Sequence, residues 1–270
     1  MTEPKISICL PVYNGARYLA NAIESALEQS FSDFELLIGD DLSTDETAEI
    51  ITDYAKQDKR IVSWRNPQQL GLFGNYNACL DRVQGEFIKL FAHDDLFEPN
   101  IVATMHSVLE KYPDVTLVSS SKRLIDENGK EIKQVKQFSS DCLIPGKEVI
   151  IANLILLTNW VGEPSAVMFR ACDRGDGFDT NYYHYGDIEY WFRLLSRGNL
   201  FYINEPLCRF RRHGQSHTTA NLAGLYFALD IFKLGEKYNQ YLAEIGESPE
   251  HFAKRAAEKN CSRSRSSSKN

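Results

Sequence analysis

Apolar positions along the first 120 residues switch between two spacings. ISICLPV (6–12) is a β-branched apolar run that stops at Asn14-Gly15. In ARYLANAIESALEQ (16–29), Leu19, Ile23, Ala26 and Leu27 fall on one helical face. FELLIGD (34–40) is a second strand. Ser43, followed three residues later by Glu46, reads as a capping box that opens a helix over about 44–56. IVSWRN (61–66) is a third strand, LFGNYNACLDRV (72–83) a helix opened near Gly71, and GEFIKLFA (85–92) a fourth strand. Pro99 suits the first turn of a helix that runs to about Lys111, and VTLVSSS (115–121) is a fifth strand. This alternation predicts an α/β chain with a mostly parallel, Rossmann-like sheet, right-handed crossovers and helices on both faces.

The pattern then loosens. RLIDENGKEIK (123–133) reads as a hairpin turning at Asn128-Gly129. Helical spacing follows at 146–157 and 187–198, with strands at 166–170 and 200–204. From Gly224 to about Lys259 the chain is helical and amphipathic, and CSRSRSSSKN (261–270) is expected to be a disordered basic tail.

Composition narrows the classes. The 270 residues are 43% hydrophobic and 25% charged, enough for a sizeable core. A net charge of −7 argues against nucleic acid as the main partner. No apolar run approaches the ~20 residues of a membrane span, and the start lacks a signal-peptide pattern. Six cysteines without CxxC spacing read as free thiols of a reducing compartment. The expectation is a cytoplasmic protein.

In open parallel sheets, ligands bind beyond the carboxyl ends of the strands. There the chain places Pro11, Tyr13 and Asn14, then Asp40-Asp41, then Asn66, then His93-Asp94-Asp95. Adjacent carboxylates at such a point suit a hard divalent cation, Mn²⁺ or Mg²⁺. The plainer alternatives are a solvated loop or a helix cap before Pro99.

ISICLPVYNGARYLANAIESALEQSFSDFELLIGDDLSTDET and GLFGNYNACLDRVQGEFIKLFAHDD resemble the family 2 glycosyltransferases, which share the GT-A fold. The resemblance covers most of residues 5–121, with a weaker match over 160–217. It implies an inverting, metal-dependent transfer of a sugar from a nucleotide-sugar donor to an acceptor hydroxyl. UDP is the favoured nucleotide, with dTDP or GDP as alternatives. Pro11, Tyr13, Asn14, Asp40 and Asp41 would hold the nucleotide, with Tyr13 stacking on the base and Asp41 accepting from its edge. Asn75 would lie near the diphosphate, Asp94 on the sugar or ribose, and Asp95 on the metal.

The family's ED-like base motif before a WxxRL helix reads YHYGDIEYWFRLLSRG here, so Asp187 is the candidate base and Gly186 stands in place of the glutamate. Two further departures are Leu42, where the usual DDGS has glycine, and Ala92, where the fuller acidic motif begins with an acid. WVGEPSAVMFR places Glu163 on the acceptor side. CRFRRHGQSH offers Arg211, Arg212 and His213 to the diphosphate, with His213 also able to ligate metal. For Ser43, Asp45 and Asp187, helix capping is the competing role.

These readings divide the chain into a nucleotide-sugar-binding half (1–121), an acceptor and catalytic half (122–220), a helical extension (221–260) and the tail. Between 254 and 270 stand six Lys/Arg against one acid, Glu258. They could touch anionic lipid headgroups, where a lipid-linked saccharide acceptor would reside. The plainer reading is a solvated end. The rival function is a nucleotide-binding module of the same fold without turnover. A nucleotidyltransferase is disfavoured, since PVYNGARY is no glycine-rich basic phosphate loop.

Overall fold

The computed structural model describes residues 3–214 and 226–267, with side chains through 259. Its strands are β1 (Ile6–Val12), β2 (Phe34–Asp40), β3 (Ile61–Arg65), β4 (Phe87–Leu90), β5 (Leu96–Phe97), β6 (Val115–Ile125), β7 (Glu131–Val135), β8 (Cys142–Ile144), β9 (Val167–Arg170) and β10 (Asn199–Arg211). They form one sheet in the order β3-β2-β1-β4-β9-β6-β10-β5, with β7 on β6 and β8 on β10. The helices are α1 (Ala16–Leu27), α2 (Thr47–Gln57), α3 (Gly71–Leu80), α4 (Ile101–Lys111), α5 (Gly146–Leu156), α6 (Gly186–Leu195), α7 (Tyr226–Lys237), α8 (Asn239–Glu244) and α9 (Pro249–Ser267).

β1 is buried along its whole length, which is why its sequence is apolar without alternation. One face of the sheet packs Leu19 and Ile23 of α1, Ile51 of α2, and Ile101 and Met105 of α4. The other packs Tyr76 and Cys79 of α3, Ile150 of α5, Trp191 of α6, Leu234 of α7 and Phe252 of α9. Parallel register pairs Val12 with Asp40 and Asp40 with Arg65, while Cys9 pairs with Leu90. The ends of β1 and β2 therefore lie side by side, and β4 runs along β1 in the same direction.

Four sequence expectations change. The sheet is parallel across β3-β2-β1-β4, but β9 inserts antiparallel between β4 and β6. A crossover through α4 leaves a gap one strand wide, and β9 fills it. β10 extends well past 204 to Arg211, with irregular register opposite Pro206. The Ser43–Glu46 capping box does not form: α2 starts at Thr47, Ser43 Oγ instead accepts the Asn14 N–H at 2.9 Å, and Asp45 takes the N–H groups of both Ala16 and Thr47. One carboxylate thus caps two neighbouring helices. Finally, α9 continues to Ser267, into the segment expected to be disordered, because extending a formed helix costs little per residue.

The basic end is also less free than its composition implied. Arg255 donates to the Leu154 and Ile155 carbonyls and Lys259 to that of Leu156, at the C-terminal end of α5. Cations there satisfy orphan carbonyls and oppose the helix dipole. Among the described residues no helix is long and apolar enough to cross a membrane.

Gly146 opens α5 against the turn after α6. A Cβ there would lie 2.0 Å from the Leu195 carbonyl oxygen and 2.1 Å from that of Gly198, both backbone atoms that cannot rotate away. Gly146→Ala is expected to destabilise the fold by about 2–3 kcal/mol or more, read as a lower urea midpoint.

Candidate functional site

A cavity of about 520 Å³ opens at the carboxyl ends of β1, β2 and β4. Pro11, Tyr13 and Asn14 line it from the end of β1, and Asp41 from the end of β2. Asn75 of α3 forms part of the wall, with His93 and Asp94 after β4 and His213 after β10. Seven of the expected residues therefore share one surface. Tyr13 is 41% exposed, leaving its ring open to the cavity.

The two turns that shape this wall use left-handed backbone, Asn14 at φ 48° and Leu42 at φ 60°. Leu42 thus keeps the conformation that a glycine would adopt, at roughly 1–2 kcal/mol of steric cost. Asp41 is locked by three donors: the N–H groups of Leu70 and Gly71 at 2.8 and 2.9 Å, and Asn66 Nδ2 at 2.9 Å. A carboxylate has about four acceptor positions, so one remains for a ligand. Asn75 lines the cavity, but its amide is committed: Nδ2 donates to the Gly39 carbonyl and Oδ1 accepts from Asn66. It stiffens the β1–β2 ends. Asp40 is absent from the wall; its Oδ1 accepts the Ser43 N–H and Arg65 lies 3.5 Å from Oδ2.

The paired acids face opposite ways. Asp94 lies on the cavity wall, its Oδ2 2.8 Å from His213 Nε2. Burial by itself would raise its carboxyl, but the His213 hydrogen bond and the nearby His93 and His213 bring it below the ordinary value. Asp95, expected on the metal, points inward and is 1% exposed. Its Oδ2 accepts Ser165 Oγ at 2.5 Å and its Oδ1 the Arg211 backbone N–H at 2.9 Å. Burial and then the charge of Asp94 push Asp95 well above the usual carboxylate range. Asp94, not Asp95, is the acid that a ligand in the cavity meets. Beneath them, fully buried Lys89 donates to the Leu90 and Ser165 carbonyls, and burial pushes its ammonium down to about 7.

The arginines expected at the diphosphate are elsewhere. Arg211 is buried, with Nε on the Asp94 carbonyl at 2.7 Å and Nη1 on the carbonyls of Asp126 and Glu127. Its donors clamp the β6–β7 turn to the Asp94 loop. Arg212 is exposed and off the cavity wall. Gln215, Ser216 and His217 of the same motif lie outside the described residues. Glu163 is also off the wall and is ion-paired with Lys122.

Asp187 sits in the first turn of α6, outside the cavity lining but beside the same acidic group. Burial raises its carboxyl to about 7; the Ile188 N–H opposes this and the Glu163 charge adds to it. Asn159 ties it to the preceding loop through Oδ2 at 3.4 Å and through the Gly162 carbonyl. That loop runs on to Ser165, the partner of Asp95. Gly186 has a physical reason. A Cβ there would lie 2.4 Å from the Phe73 ring, which stacks on Phe178, so no glutamate fits.

The sequence pattern did not reveal Asp230. It is fully buried on α7, and Oδ2 accepts three consecutive backbone N–H groups, from Tyr183, His184 and Tyr185, at 2.8, 2.6 and 3.1 Å. These immediately precede Gly186 and Asp187. The only available signal was an acid inside the apolar run YFALDIFKL. Arg17 and Tyr18 also line the cavity and carried no signal beyond helix spacing. Among the described residues, no group of three or more His, Cys, Asp or Glu side chains is arranged to hold a metal.

A family model described as "Glycosyl transferase family 2" matches residues 7–171. Protein MT1568 of Mycobacterium tuberculosis (strain CDC 1551 / Oshkosh) is 30% identical over 241 residues, covering 84% of this chain and 73% of that one. Among solved structures, S. aureus TarS 1–349 in complex with UDP-GlcNAc superposes with a TM-score of 0.66 at 16% identity, over 86% of this chain and 65% of that one. Mannosyltransferase PcManGT from Pyrobaculum calidifontis, in complex with GDP-Man and Mn²⁺, superposes at 0.64 with 17% identity, over 89% and 65%. The chain spans a little under two thirds of each. These likenesses show the fold, which is of the GT-A type.

Asp230→Ala is expected to orphan three backbone donors and to lower stability by roughly 2–4 kcal/mol, measured by thermal or urea unfolding. Gly186→Glu is expected to cost about 1–3 kcal/mol through displacement of Phe73. An unfolding curve unchanged by Gly186→Glu would show that the ring moves aside freely.

Proposed function

The chain belongs to glycosyl transferase family 2, and from that premise we propose that it transfers a sugar from a nucleotide-sugar donor to a hydroxyl of a saccharide or lipid-linked acceptor. The observation that carries this reading is the Asp94–His213 pair on the wall of the strand-end cavity. The Asp94 oxygen is a ligand that either Mn²⁺ or Mg²⁺ accepts, and the His213 imidazole 2.8 Å away could join it on Mn²⁺, with phosphate oxygens and water able to complete the shell. The residues therefore fit a divalent ion held jointly with the donor. Bound there, such an ion would neutralise charge on the departing diphosphate. Asp95 supports this pair from below.

The protein's own residues divide the remaining work. Tyr13 offers an exposed ring to the nucleobase, and Asp41 keeps an acceptor position for its edge. UDP is favoured, with dTDP and GDP as alternatives. Asp187 takes the proton of the acceptor hydroxyl as that oxygen bonds to the anomeric carbon, while the bond from the same carbon to the diphosphate oxygen breaks on the opposite side. One such in-line displacement inverts the anomeric centre. A base works best when its pKa lies near the working pH, and burial brings Asp187 to about 7. A nucleotide-binding module without turnover would share the cavity but would need no such base.

Calorimetric titration with UDP, dTDP and GDP, with Mn²⁺ and with chelator, tests the donor side. One nucleotide is expected to bind in a metal-dependent way, and Asp94→Ala to abolish the metal dependence. Failure of all three nucleotides to bind would sink the transferase reading. The catalytic side rests on Asp187 being ionised. Transfer is expected to be low below pH 6 and to rise with pH through about 7. Asp187→Asn is expected to lower kcat by about 10²–10⁴ with nucleotide binding unchanged. A pH profile that stays flat from 5.5 to 8 would remove Asp187 from the role of base.

A further inference from the structure

Resting on the donor site just described, we propose that Arg17 is the arginine that grips the donor's diphosphate, releasing Glu127 to do so. Arg17 lines the cavity alongside Asn14, Asp94 and His213. The two arginines of the late motif are both off the cavity wall: Arg211 is buried with Nε and Nη1 on backbone carbonyls, and Arg212 is exposed. Arg17 is bound lightly. Among the described residues its ion pair is Nη2 to Glu127 Oε2 at 3.2 Å, which joins side chains that are 56% and 54% exposed, and exposed pairs contribute little.

Position supports the same assignment. The Arg17 guanidinium lies 5.0 Å from the centre of the Tyr18 ring, and the His213 ring lies 5.2 Å from that centre. The buried Arg211 guanidinium lies 4.5 Å from the same centre, and of the two arginines only Arg17 lines the cavity with the Asp94–His213 pair, where the diphosphate belongs in the proposed function. The buried Tyr18 hydroxyl, on the same wall, has no hydrogen-bond partner among the described residues. Arg17 stands in the first turn of α1, whose N-terminus is met by the Asp45 carboxylate on the Ala16 N–H. A guanidinium fork matches phosphate oxygens. Glu127, on the β6–β7 turn that Arg211 clamps, holds Arg17 until the anion arrives.

The test is titration of the full chain with UDP, dTDP and GDP and with UMP, dTMP and GMP in the presence of Mn²⁺, for wild type, Arg17→Ala and Glu127→Gln. Arg17 is exposed, so folding should survive, and a melting curve checks it. Arg17→Ala is expected to weaken the diphosphate that binds by about 10- to 100-fold, and the matching monophosphate by less than about 3-fold. Glu127→Gln should bind the diphosphate as tightly as wild type or tighter. If wild type binds no nucleotide, the donor-site reading fails and takes this assignment with it. If wild type binds and Arg17→Ala binds equally well, only the assignment to Arg17 is overturned. Equal weakening of diphosphate and monophosphate, or a loss in Glu127→Gln matching that of Arg17→Ala, would show the pair to be structural and would also overturn it.

Discussion

The site depends on how Asp95 is buried. A carboxylate at 1% exposure is costly unless its oxygens are met by donors. Here the donors come from far along the chain, Ser165 at the entry to β9 and the backbone of Arg211 at the end of β10. Satisfying one acid therefore brings three segments to one point. The Ser165 hydroxyl also accepts the Ala92 N–H, and Lys89 holds the Ser165 carbonyl, so the turn is tied from both sides. With Asp95 spent inside, its neighbour Asp94 turns out to the cavity and to His213. The two adjacent acids divide structure from chemistry, and the charge of Asp94 helps to push Asp95 up.

A second division sets the protonation states. Asp94 has histidines beside it and is held below the usual carboxylate range, while Asp187, half-buried and near Glu163, is raised to about 7. Environments that push two carboxyls apart in this way assign them different work at neutral pH. The loop 159–165 links Asp187, through Asn159, to Asp95, the neighbour of Asp94, through Ser165. Asp230 on α7 holds the residues just before Asp187 by their backbone. The helical C-terminal region is thus part of the site's framework, although it lies beyond the matched family segment. Arg255 and Lys259 of α9 dock on the end of α5 and fasten it to the core.

How far the chain could be read from its letters follows from the range of the forces involved. Strand and helix spacing, the hairpin at Asn128-Gly129 and the glycine positions are local, and most elements of the first 120 residues appeared where periodicity placed them. The ends of consecutive parallel strands must lie together, so Pro11, Tyr13, Asn14, Asp41 and Asp94 could be assigned to one wall in advance. The resemblance of two motif strings to a family added the fold type. The orientation of Asp95, the committed Nε and Nη1 of Arg211, the Asn75 amide on Gly39, the insertion of β9, the clamp by Asp230 and the ion pair of Arg17 depend on partners from 36 to more than 110 residues away in the chain. A sequence motif names a carboxylate or a guanidinium. Only the packed structure decides whether its lone pairs and protons are left over for a ligand, because a buried polar group must first be satisfied by whichever distant segment folds against it.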